Sequence, residues 1–508
     1  MPVDTLSGPV RPRPAPVTTL PSAAVRLEWL VDNAAAYDAV IAAIATARRS
    51  VCISQLAFDA DCEAYPETGA PARLLDALVD ATDTHGLDVR ILLNSSILVN
   101  TAKTLRAALA RRGNASIQVR GINRFPQLLH AKILIVDDGE AFLLGSPFVN
   151  GYWDDQSHRP VDPRRPEREL GGRPLHDLSC RVHGPVVADL QAVFDEWWHA
   201  VADERGPSPV TRRDRASRSN VGPIRVVRTV PANAPSWRRD GLTEILDAMV
   251  EGIGRARHFV YIEHQYLSSR VVIEALAQAL ARSPELEVIA LVNQNPDVTA
   301  YRGWQNARLE ESGLFDHPRF GLFALWSREG AAGALLVNQV FMHSKVIIVD
   351  DQWATVGSAN IDGVSLCSYG DDFESRLGER VFRGVRNFDV NLVVSGDHGA
   401  PADCIRTLRA QLWAEHLGAG GADRRQSGGW LRQWRACAAA NIAELNLPSA
   451  GTADPAARSV VLPYSRSAWP SGQLESLGVH ARPDLKLRFD PGWLEVHCSP
   501  NWIRNMFA

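Results

Sequence analysis

The pattern of apolar and polar positions predicts strands and helices that alternate along the chain. Short apolar runs at 51–56 and 89–94 are typical of buried strands. Longer segments with helical periodicity lie at 35–49, 74–84 and 104–112. A strand at 176–182 and a helix at 187–198 close the series. Alternation of this kind favours an α/β fold.

The same order of segments returns in the second part of the chain. Apolar runs at 260–266 and 288–293 correspond to those at 51–56 and 89–94, and the run at 388–394 and the helix at 404–417 correspond to 176–182 and 187–198. A repeat of this length indicates a duplication. We therefore predict two α/β lobes, each a mixed β-sheet flanked by helices, that share one site at their interface.

Shifts in composition predict the domain boundaries. Residues 1–25 are rich in Pro, Thr and Ser and predict a disordered leader, and 204–222 predict a charged linker. The first lobe is expected at 26–203 and the second at 223–418. Residues 419–508 form a C-terminal extension with a helix at 430–445, expected to pack on the second lobe.

Charge and cysteine usage narrow the class of protein. A net charge of −4 gives no overall attraction to nucleic acid. The seven cysteines form no CxxC pair and resemble reduced thiols. The sequence has no secretory signal and no apolar run long enough to span a bilayer. We expect a cytoplasmic monomer and leave open a peripheral contact with the membrane.

Residues 343–360 carry the most informative pattern. The apolar run at 346–349 is followed by Asp350-Asp351, which favour a turn, and then by a second run at 354–356. This pattern predicts a hairpin.

The hairpin brings polar side chains together at one end. His343 and Lys345 are two residues apart and project from the same face of an extended chain. With the turn centred between 350 and 351, Ser358 is expected to lie across from His343, with Asn360 nearby. An imidazole, an ammonium and a hydroxyl in one place predict a phosphate-handling cluster.

Residues 130–146 repeat the pattern with one extra residue in the turn. Here His130 and Lys132 precede the apolar run, and a turn centred on Asp138 places Ser146 across from His130. Two copies of HxKxxxxD, each followed by Gly-Ser, resemble the signature of the phospholipase D superfamily. The resemblance covers roughly residues 26–418 and implies two lobes with one active site between them.

The residues themselves suggest how such a site works. Two histidines that face one phosphodiester permit a two-step displacement through a phosphohistidine. Lys132 and Lys345 would stabilise the non-bridging oxygens, and Ser146, Ser358 and Asn360 would donate hydrogen bonds. The lysines disfavour a metal ion beside the histidines, so we expect neither a metal nor a cofactor.

The acidic residues divide into two groups. Asp137 and Asp350 lie roughly 23 Å along an extended strand from their own histidines, so we interpret them as turn-stabilising residues. Asp177 and Asp389 occupy matched places on later strands and are predicted to orient the imidazoles. The competing candidates for this role are Asp371, Asp372 and Glu374.

The two copies differ after the Gly-Ser pair. The second continues Ala359-Asn360, whereas the first continues Pro147-Phe148, so Asn150 is the candidate to replace the missing asparagine. Either histidine could be the nucleophile. We favour His130 as nucleophile and His343 as general acid.

Two further stretches resemble phospholipases D. Residues 261–266 (Tyr-Ile-Glu-His-Gln-Tyr) make His264 and Gln265 candidates to line the pocket, with Gln55 as a first-lobe counterpart. The alternative for His264 is a hydrogen-bonded core residue. The second stretch is Leu-Trp-Ala-Glu-His-Leu-Gly at 412–418.

These features favour a phospholipid substrate. The leading hypothesis is a phospholipase D-type phosphodiesterase and transphosphatidylase that acts on glycerophospholipids. The alternatives are a cardiolipin synthase-type phosphatidyl transfer, a metal-independent nuclease of the same superfamily, which would need a basic groove, and a degenerate scaffold that binds anionic lipid.

Overall fold

The computed structural model describes residues 18–20, 25–66, 70–96, 99–123, 127–166, 172–202, 223–231, 241–297, 299–331, 333–366, 387–418, 429–447, 456–467 and 470–488. The predicted linker 204–222, nearly all of the predicted leader and the alternative orienting residues Asp371, Asp372 and Glu374 lie outside these ranges.

Strands and helices alternate through the first half as the apolar pattern predicts. The strands are β1 (Thr18–Leu20), β2 (Val25–Val31), β3 (Ser50–Ser54), β4 (Glu63–Ala64), β5 (Ala72–Arg73), β6 (Asp88–Asn94), β7 (Gln118–Ile122), β8 (Leu128–Leu129), β9 (Ile133–Val136), β10 (Glu140–Leu143), β11 (Leu175–His176) and β12 (Leu178–His183). The helices are α1 (Asp32–Thr46), α2 (Leu74–His85), α3 (Thr101–Arg111) and α4 (Val186–Ala202).

The second half and the extension continue the series. The strands are β13 (Ile224–Val230), β14 (Leu242–Thr243), β15 (Phe259–His264), β16 (Glu287–Val292), β17 (Phe320–Ala331), β18 (Ala334–Gln339), β19 (Phe341–Met342), β20 (Lys345–Val349), β21 (Trp353–Gly357), β22 (Asn387–Ser395), β23 (Arg458–Pro463) and β24 (Leu485–Leu487). The helices are α5 (Glu244–Arg255), α6 (Arg270–Arg282), α7 (Thr299–Glu311), α8 (Gly363–Leu366), α9 (Ala400–Leu417), α10 (Trp430–Leu445) and α11 (Pro470–Ser476).

The two halves have the same strand order. Within the described residues, the first sheet runs β1-β2-β12-β10-β9-β3-β6-β7, and the second contains the matching run β13-β22-β21-β20-β15-β16-β17. Both sheets are mixed, because β3–β6 and β15–β16 pair in parallel while the neighbouring hairpins pair antiparallel. The prediction of two duplicated α/β lobes is confirmed.

The lobes share one core. Apolar residues of both sheets pack with α4 and α9 in a single buried cluster that includes Phe194, Trp197, Leu412 and Trp413. The outer helices α1–α3 and α5–α7 cover the other faces with separate apolar clusters. Burial of large side chains on both sides of each sheet explains why its central strands are almost entirely apolar.

Two boundaries differ from the prediction. The predicted leader contains strand β1, in which Thr18 pairs with Leu27, so the first sheet begins before residue 25. The extension is continuous with the second sheet, because β23 pairs with β17 and β24 with β18. The apolar runs at 485–489 and 493–496 also predict a hairpin, and its second strand lies outside the described ranges. In the part of the chain that the structure describes, no helix is long and apolar enough to cross a membrane.

Candidate active site

Both motif hairpins form, and their registers differ by one residue. In the first, Glu140 pairs with Val136, which places position 146 across from 130 as predicted. In the second, Val346 pairs with Val356, so position 343 falls across from 359 rather than from Ser358. The predicted register of the second hairpin is therefore wrong by one residue.

The motif aspartates stabilise the turns, as expected from their distance along the strand. The Asp137 carboxylate accepts backbone hydrogen bonds from Arg48, Arg49 and Ser50 at 2.8, 2.7 and 2.9 Å. Asp350 accepts the equivalent bonds from residues 257–259 at 2.7–2.9 Å. These bonds lower the pKa of Asp137 even though its partial burial acts in the opposite direction. Each aspartate thus fixes its turn to the start of the neighbouring central strand.

Each histidine is held by the backbone of the other half. Strand β8, just before His130, pairs in parallel with the start of β22, and the His130 N–H donates to the Phe388 carbonyl at 3.0 Å. Strand β19, just before His343, pairs with β11, and the His343 N–H donates to the His176 carbonyl at 2.8 Å. Two short exchanges of backbone hydrogen bonds therefore join the lobes at the site.

The orienting aspartates follow the same crossed pattern. Asp177 follows His176 in the first half, and its Oδ2 lies 2.9 Å from Nδ1 of His343. Asp389 lies in the second half, and its Oδ1 is 2.7 Å from Nδ1 of His130. The sequence does not say which aspartate serves which histidine, and in the structure each one pairs with the histidine of the other half. In both pairs Nε2 is left as the nitrogen available for chemistry.

The motif serines are also exchanged. Ser146 Oγ donates to Asp177 and lies 3.2 Å from Nδ1 of His343, whereas Ser358 Oγ donates to Asp389 Oδ1 at 2.7 Å. Since a hydroxyl has one hydrogen, neither serine is free to donate to a phosphate. The predicted phosphate-binding role is replaced by support of the orienting carboxylate.

Glycine at the position before each serine is a steric requirement. A Cβ on Gly145 would clash with the Asp177 carboxylate, and one on Gly357 would clash with Asn391 and with the Val390 backbone. Gly145 thus lets the Asp177 carboxylate approach the backbone, and Gly357 does the same for the two residues that follow Asp389.

The two lysines are fully buried in the site. Lys132 Nζ donates to the carbonyl of His130 at 2.7 Å, and Lys345 Nζ donates to that of His343. Burial lowers the pKa of Lys132 to about 8, although Asp389 and Asp177 act against it. Burial lowers the pKa of Lys345 to about 7, where Asp177 opposes and Lys132 adds to the shift. Each ammonium keeps two further N–H donors for a ligand.

Both histidines are nearly buried, at 8% exposure for His130 and 4% for His343. Burial and the Lys345 ammonium lower the pKa of His343 to about 3, against the pull of Asp177. Burial and Lys132 lower the pKa of His130 in the same way. The lysine of the other half also lowers the pKa of each histidine, so the charges of the two histidines and the two lysines are coupled.

Gln55 and His264 occupy equivalent positions beside the lysines. His264 pairs with Lys345 across β15–β20, and Ser54 pairs with Ile133 across β3–β9, which places Gln55 beside Lys132. Both side chains are buried, and none of their polar atoms has a hydrogen-bond partner among the described residues. His264 is thus not the hydrogen-bonded core residue of the alternative interpretation. Burial and then Lys345 hold its pKa well below the usual value.

The structure also places the three remaining predicted residues, Asn360, Gln265 and Asn150. Asn360 is buried, and its Oδ1 accepts no hydrogen bond within the described part of the chain. Gln265, the other residue predicted to line the pocket, follows His264 and donates to the Tyr266 hydroxyl at 2.9 Å. Asn150 does not replace Asn360, because its side chain accepts from the Glu63 N–H at 3.1 Å and donates to Asp61 at 3.0 Å.

Two asparagines that sequence reasoning missed anchor the histidine segments. Asn94 accepts from the Leu129 N–H at 3.0 Å and donates to the Leu129 carbonyl at 2.9 Å. Asn293 makes the same pair of bonds to Met342, at 2.8 Å each. Leu129 and Met342 immediately precede the two histidines. The matched ends of the predicted strands 89–94 and 288–293 were the signal for this role.

A buried polar network lies behind the second motif. Glu263 accepts from the hydroxyl of Tyr261 at 2.5 Å and that of Ser344 at 3.0 Å. Its carboxylate also lies 3.2 Å from Nε2 of His176 and 2.8 Å from Nε2 of His416. In the first lobe the residue before Gln55 is Ser54, whose hydroxyl donates to the carbonyl of Ala131 at 3.3 Å. The two half-sites therefore match at the histidines and differ behind them.

Comparison with known proteins places this geometry in a family. A family model described as "Cardiolipin synthase, PLD-like domain" matches residues 40–151 and 249–375. Phospholipase D A of Dictyostelium discoideum is 22% identical over 409 residues, which cover 68% of this chain and 32% of that protein. Cardiolipin synthase A of Pseudomonas putida is 24% identical over 349 residues, 67% of this chain and 62% of that protein.

Phospholipase D alpha 3 of Arabidopsis thaliana is 24% identical over 408 residues, 57% of this chain and 48% of that protein. The chain thus spans about a third to a half of the first two phospholipases. The crystal structure of a phosphatidylserine synthase from Haemophilus influenzae superposes with a TM-score of 0.50 at 12% identity, over 78% of this chain and 86% of that one. The doubled fold and the matched segments in both lobes support a place for the chain in the phospholipase D superfamily.

Proposed function

We propose that the protein is a phosphodiesterase that cleaves glycerophospholipids and transfers their phosphatidyl group to water or to an alcohol. The observation that carries the proposal is the crossed arrangement of Asp177 with His343 and of Asp389 with His130. Each aspartate fixes Nδ1 of one imidazole, so two Nε2 atoms with two buried ammonium groups are available to one phosphodiester.

In the first step, Nε2 of His130 attacks phosphorus and forms a P–N bond. The bond from phosphorus to the leaving alcohol breaks, and His343 transfers its proton to that oxygen. Lys132 and Lys345 donate hydrogen bonds to the non-bridging oxygens, where negative charge accumulates in the transition state. The negative charge of the bound phosphate offsets the positive charge of the lysines. It therefore raises the pKa of His343, which must carry a proton in this step.

In the second step, His343 accepts a proton from water or from an alcohol. The resulting oxygen nucleophile attacks phosphorus, the P–N bond breaks, and His130 is released in its starting form. With water the product is phosphatidic acid, and with an alcohol it is a new phosphatidyl ester. Asp177 and Asp389 stabilise the positive charge that each ring acquires in turn.

The names of the relatives and the sequence support a lipid as the substrate. A phospholipase D and a cardiolipin synthase match 68% and 67% of this chain, and the net charge of −4 does not favour a polyanion. The decisive assay incubates the purified protein with mixed phospholipids and ethanol and measures phosphatidic acid and phosphatidylethanol. A parallel incubation with phosphatidylglycerol tests cardiolipin formation, and plasmid DNA tests a nuclease.

The control proteins for this assay are His130→Asn and His343→Asn, which should form no product. Plasmid cleavage without lipid turnover would replace the proposal with a nuclease.

The order of the two histidines has its own test. Rapid quenching of a ³²P-labelled lipid reaction should trap a phosphohistidine in His343→Asn, which keeps the proposed nucleophile, and none in His130→Asn. The reverse pattern would exchange the two roles.

A further inference from the structure

A second cluster of ionisable residues lies behind His343, away from the proposed reacting atoms. His158 Nε2 is 3.1 Å from Glu415 Oε1 and 3.7 Å from Asp32 Oδ2. His176 Nδ1 is 2.8 Å from the same Glu415 oxygen and 3.1 Å from Asp32 Oδ1. All four side chains are at least nine-tenths buried, and Glu415 alone reaches 8% exposure.

These short separations do not amount to a satisfied hydrogen-bond network. Nδ1 of His176 makes no hydrogen bond within the described residues, although two carboxylate oxygens lie close to it. The same holds for Asp32 Oδ2 and Glu415 Oε2. A buried ring nitrogen that faces two carboxylates without pointing at either is costly unless a cation lies between them.

The distances between the four groups fit a tetrahedral metal site. With bonds of about 2.0–2.1 Å to zinc, neighbouring ligand atoms of a tetrahedron lie about 3.3–3.4 Å apart. The observed separations of 2.8, 3.1, 3.1 and 3.7 Å bracket that value, with Asp32 measured from Oδ1 to His176 and from Oδ2 to His158. The ligand atoms of all four residues lie within 4.8 Å of one another.

The other nitrogen of each ring is already fixed by a carboxylate. His158 Nδ1 lies 2.9 Å from Asp154 Oδ2, and His176 Nε2 lies 3.2 Å from Glu263 Oε2. A metal-binding imidazole usually donates its second N–H to such a carboxylate, which fixes the tautomer and turns the free nitrogen toward the metal. In the neighbouring trio of Glu263, His176 and His416 both contacts with Glu263 are hydrogen bonds, whereas among the four residues above only the contact of His158 with Glu415 is one.

We propose that Asp32, His158, His176 and Glu415 form a binding site for a divalent transition metal, with Zn²⁺ as the preferred ion. Two imidazoles and two carboxylates in a tetrahedral arrangement suit zinc better than calcium or magnesium. Lys132 and Lys345, which argue against a cation beside the catalytic histidines, donate instead to the carbonyls of His130 and His343.

The site would connect the two lobes behind one histidine of the candidate active site. Asp32, His158 and His176 belong to the first lobe, whereas Glu415 lies on α9 of the second. Asp32 also accepts from the Asp177 N–H at 3.3 Å and donates its own N–H to the Asp177 carbonyl at 2.8 Å. A metal at this place would hold the backbone that carries Asp177. Both Asp32 (φ 63°) and His158 (φ 43°) have the left-handed backbone conformation that is uncommon for such residues.

The test uses the full-length protein and the metal alone, so it does not depend on the proposed lipid chemistry. Protein expressed with added zinc and dialysed without chelator should contain one zinc per chain by mass spectrometry. Stripped protein should gain about 4 °C in Tm when Zn²⁺ is present at a thousandfold excess over its Kd. Co²⁺ should give the visible absorption of a tetrahedral site.

The variants separate metal binding from loss of folding. Glu415→Gln, which keeps the size of the side chain, and His158→Asn should remain folded by circular dichroism but lose both the bound zinc and the gain in Tm. His416→Asn removes a hydrogen bond from the same network without removing a ligand, and should keep one zinc. A stripped wild-type protein that gains no Tm with Zn²⁺, Co²⁺ or Mn²⁺, and contains no stoichiometric metal as expressed, would overturn the proposal.

Discussion

The crossed arrangement can be tested by replacing Asp177 with asparagine, a change of shape too small to disturb packing. Both carboxylate oxygens accept hydrogen bonds: Oδ1 from the Leu178 N–H at 2.8 Å, and Oδ2 from Ser146 and His343. An amide must place its NH₂ group on one side or the other. Toward Leu178 it opposes a buried N–H, and toward His343 it keeps Nδ1 without a proton, so the ring cannot become the imidazolium that acts as the general acid.

The size of the effect follows from the charge that is removed. The neighbours of Asp177 lower its pKa from 3.8 to about 2 even though burial raises it, which corresponds to at least about 2 kcal/mol of favourable interaction, or about 30-fold in rate. The same substitution in a serine-protease triad costs about 10⁴-fold through the wrong tautomer. We therefore expect kcat for Asp177→Asn to fall between about 30-fold and 10⁴-fold.

Two measurements check this expectation. Transphosphatidylation of a short-chain phosphatidylcholine gives kcat, and ¹⁵N NMR of labelled histidine reports the tautomer of each ring. Asp177→Asn should change the ring signals of His343 and leave those of His130, and the matched variant Asp389→Asn should do the reverse. A rate within threefold of wild type, or ring signals that change in the histidine of the same half, would refute the crossed assignment.

Three further predictions concern stability and pH. Asp137→Asn should lower the free energy of unfolding by about 1–3 kcal/mol, while Asp138→Asn in the same turn should change it by less than about 0.5 kcal/mol. Because the pKa of Asp137 is lowered in the folded protein, urea titrations should show this difference above pH 3.8. The difference should fade as the pH falls below that value. Because the pKa of Lys345 is lowered to about 7 and that of Lys132 to about 8, kcat/KM should fall as the pH rises through this range, and a flat profile to pH 9 would contradict it. Asn94→Ala should cost about 2–4 kcal/mol in thermal or urea unfolding, since it leaves the Leu129 N–H and carbonyl without their buried partner.

Much of the fold could be predicted because the buried strands leave a strong local signal. The helix at 430–445 coincides with α10, and the central strands agree within a few residues. In the missed strands β2 and β13 charged residues interrupt the apolar run, namely Arg26 and Glu28 in β2 and Arg225 and Arg228 in β13. Their pairing with β12 and β22 is decided by tertiary contacts that a single sequence does not display.

The candidate site was predicted as a set of residues but not as a set of contacts. Local spacing correctly separated the turn aspartates from the orienting aspartates, because distance along a strand is fixed by backbone geometry. It could not show which lobe serves which histidine. The contact between Asp177 and His343 joins residues 166 positions apart, and the two lobes would satisfy every local rule with either pairing.

The exchange of aspartates has a consequence for how a duplicated fold forms one site. Neither lobe contains an oriented histidine by itself, since His130 depends on Asp389 and His343 on Asp177. The backbone bonds that carry these contacts, β8 to β22 and β11 to β19, are also bonds between the lobes. Correct docking of the lobes is therefore the same event as assembly of the site. A small rotation at this interface would move both imidazoles away from their carboxylates at once, so the shared core around α4 and α9 is part of what positions the chemistry.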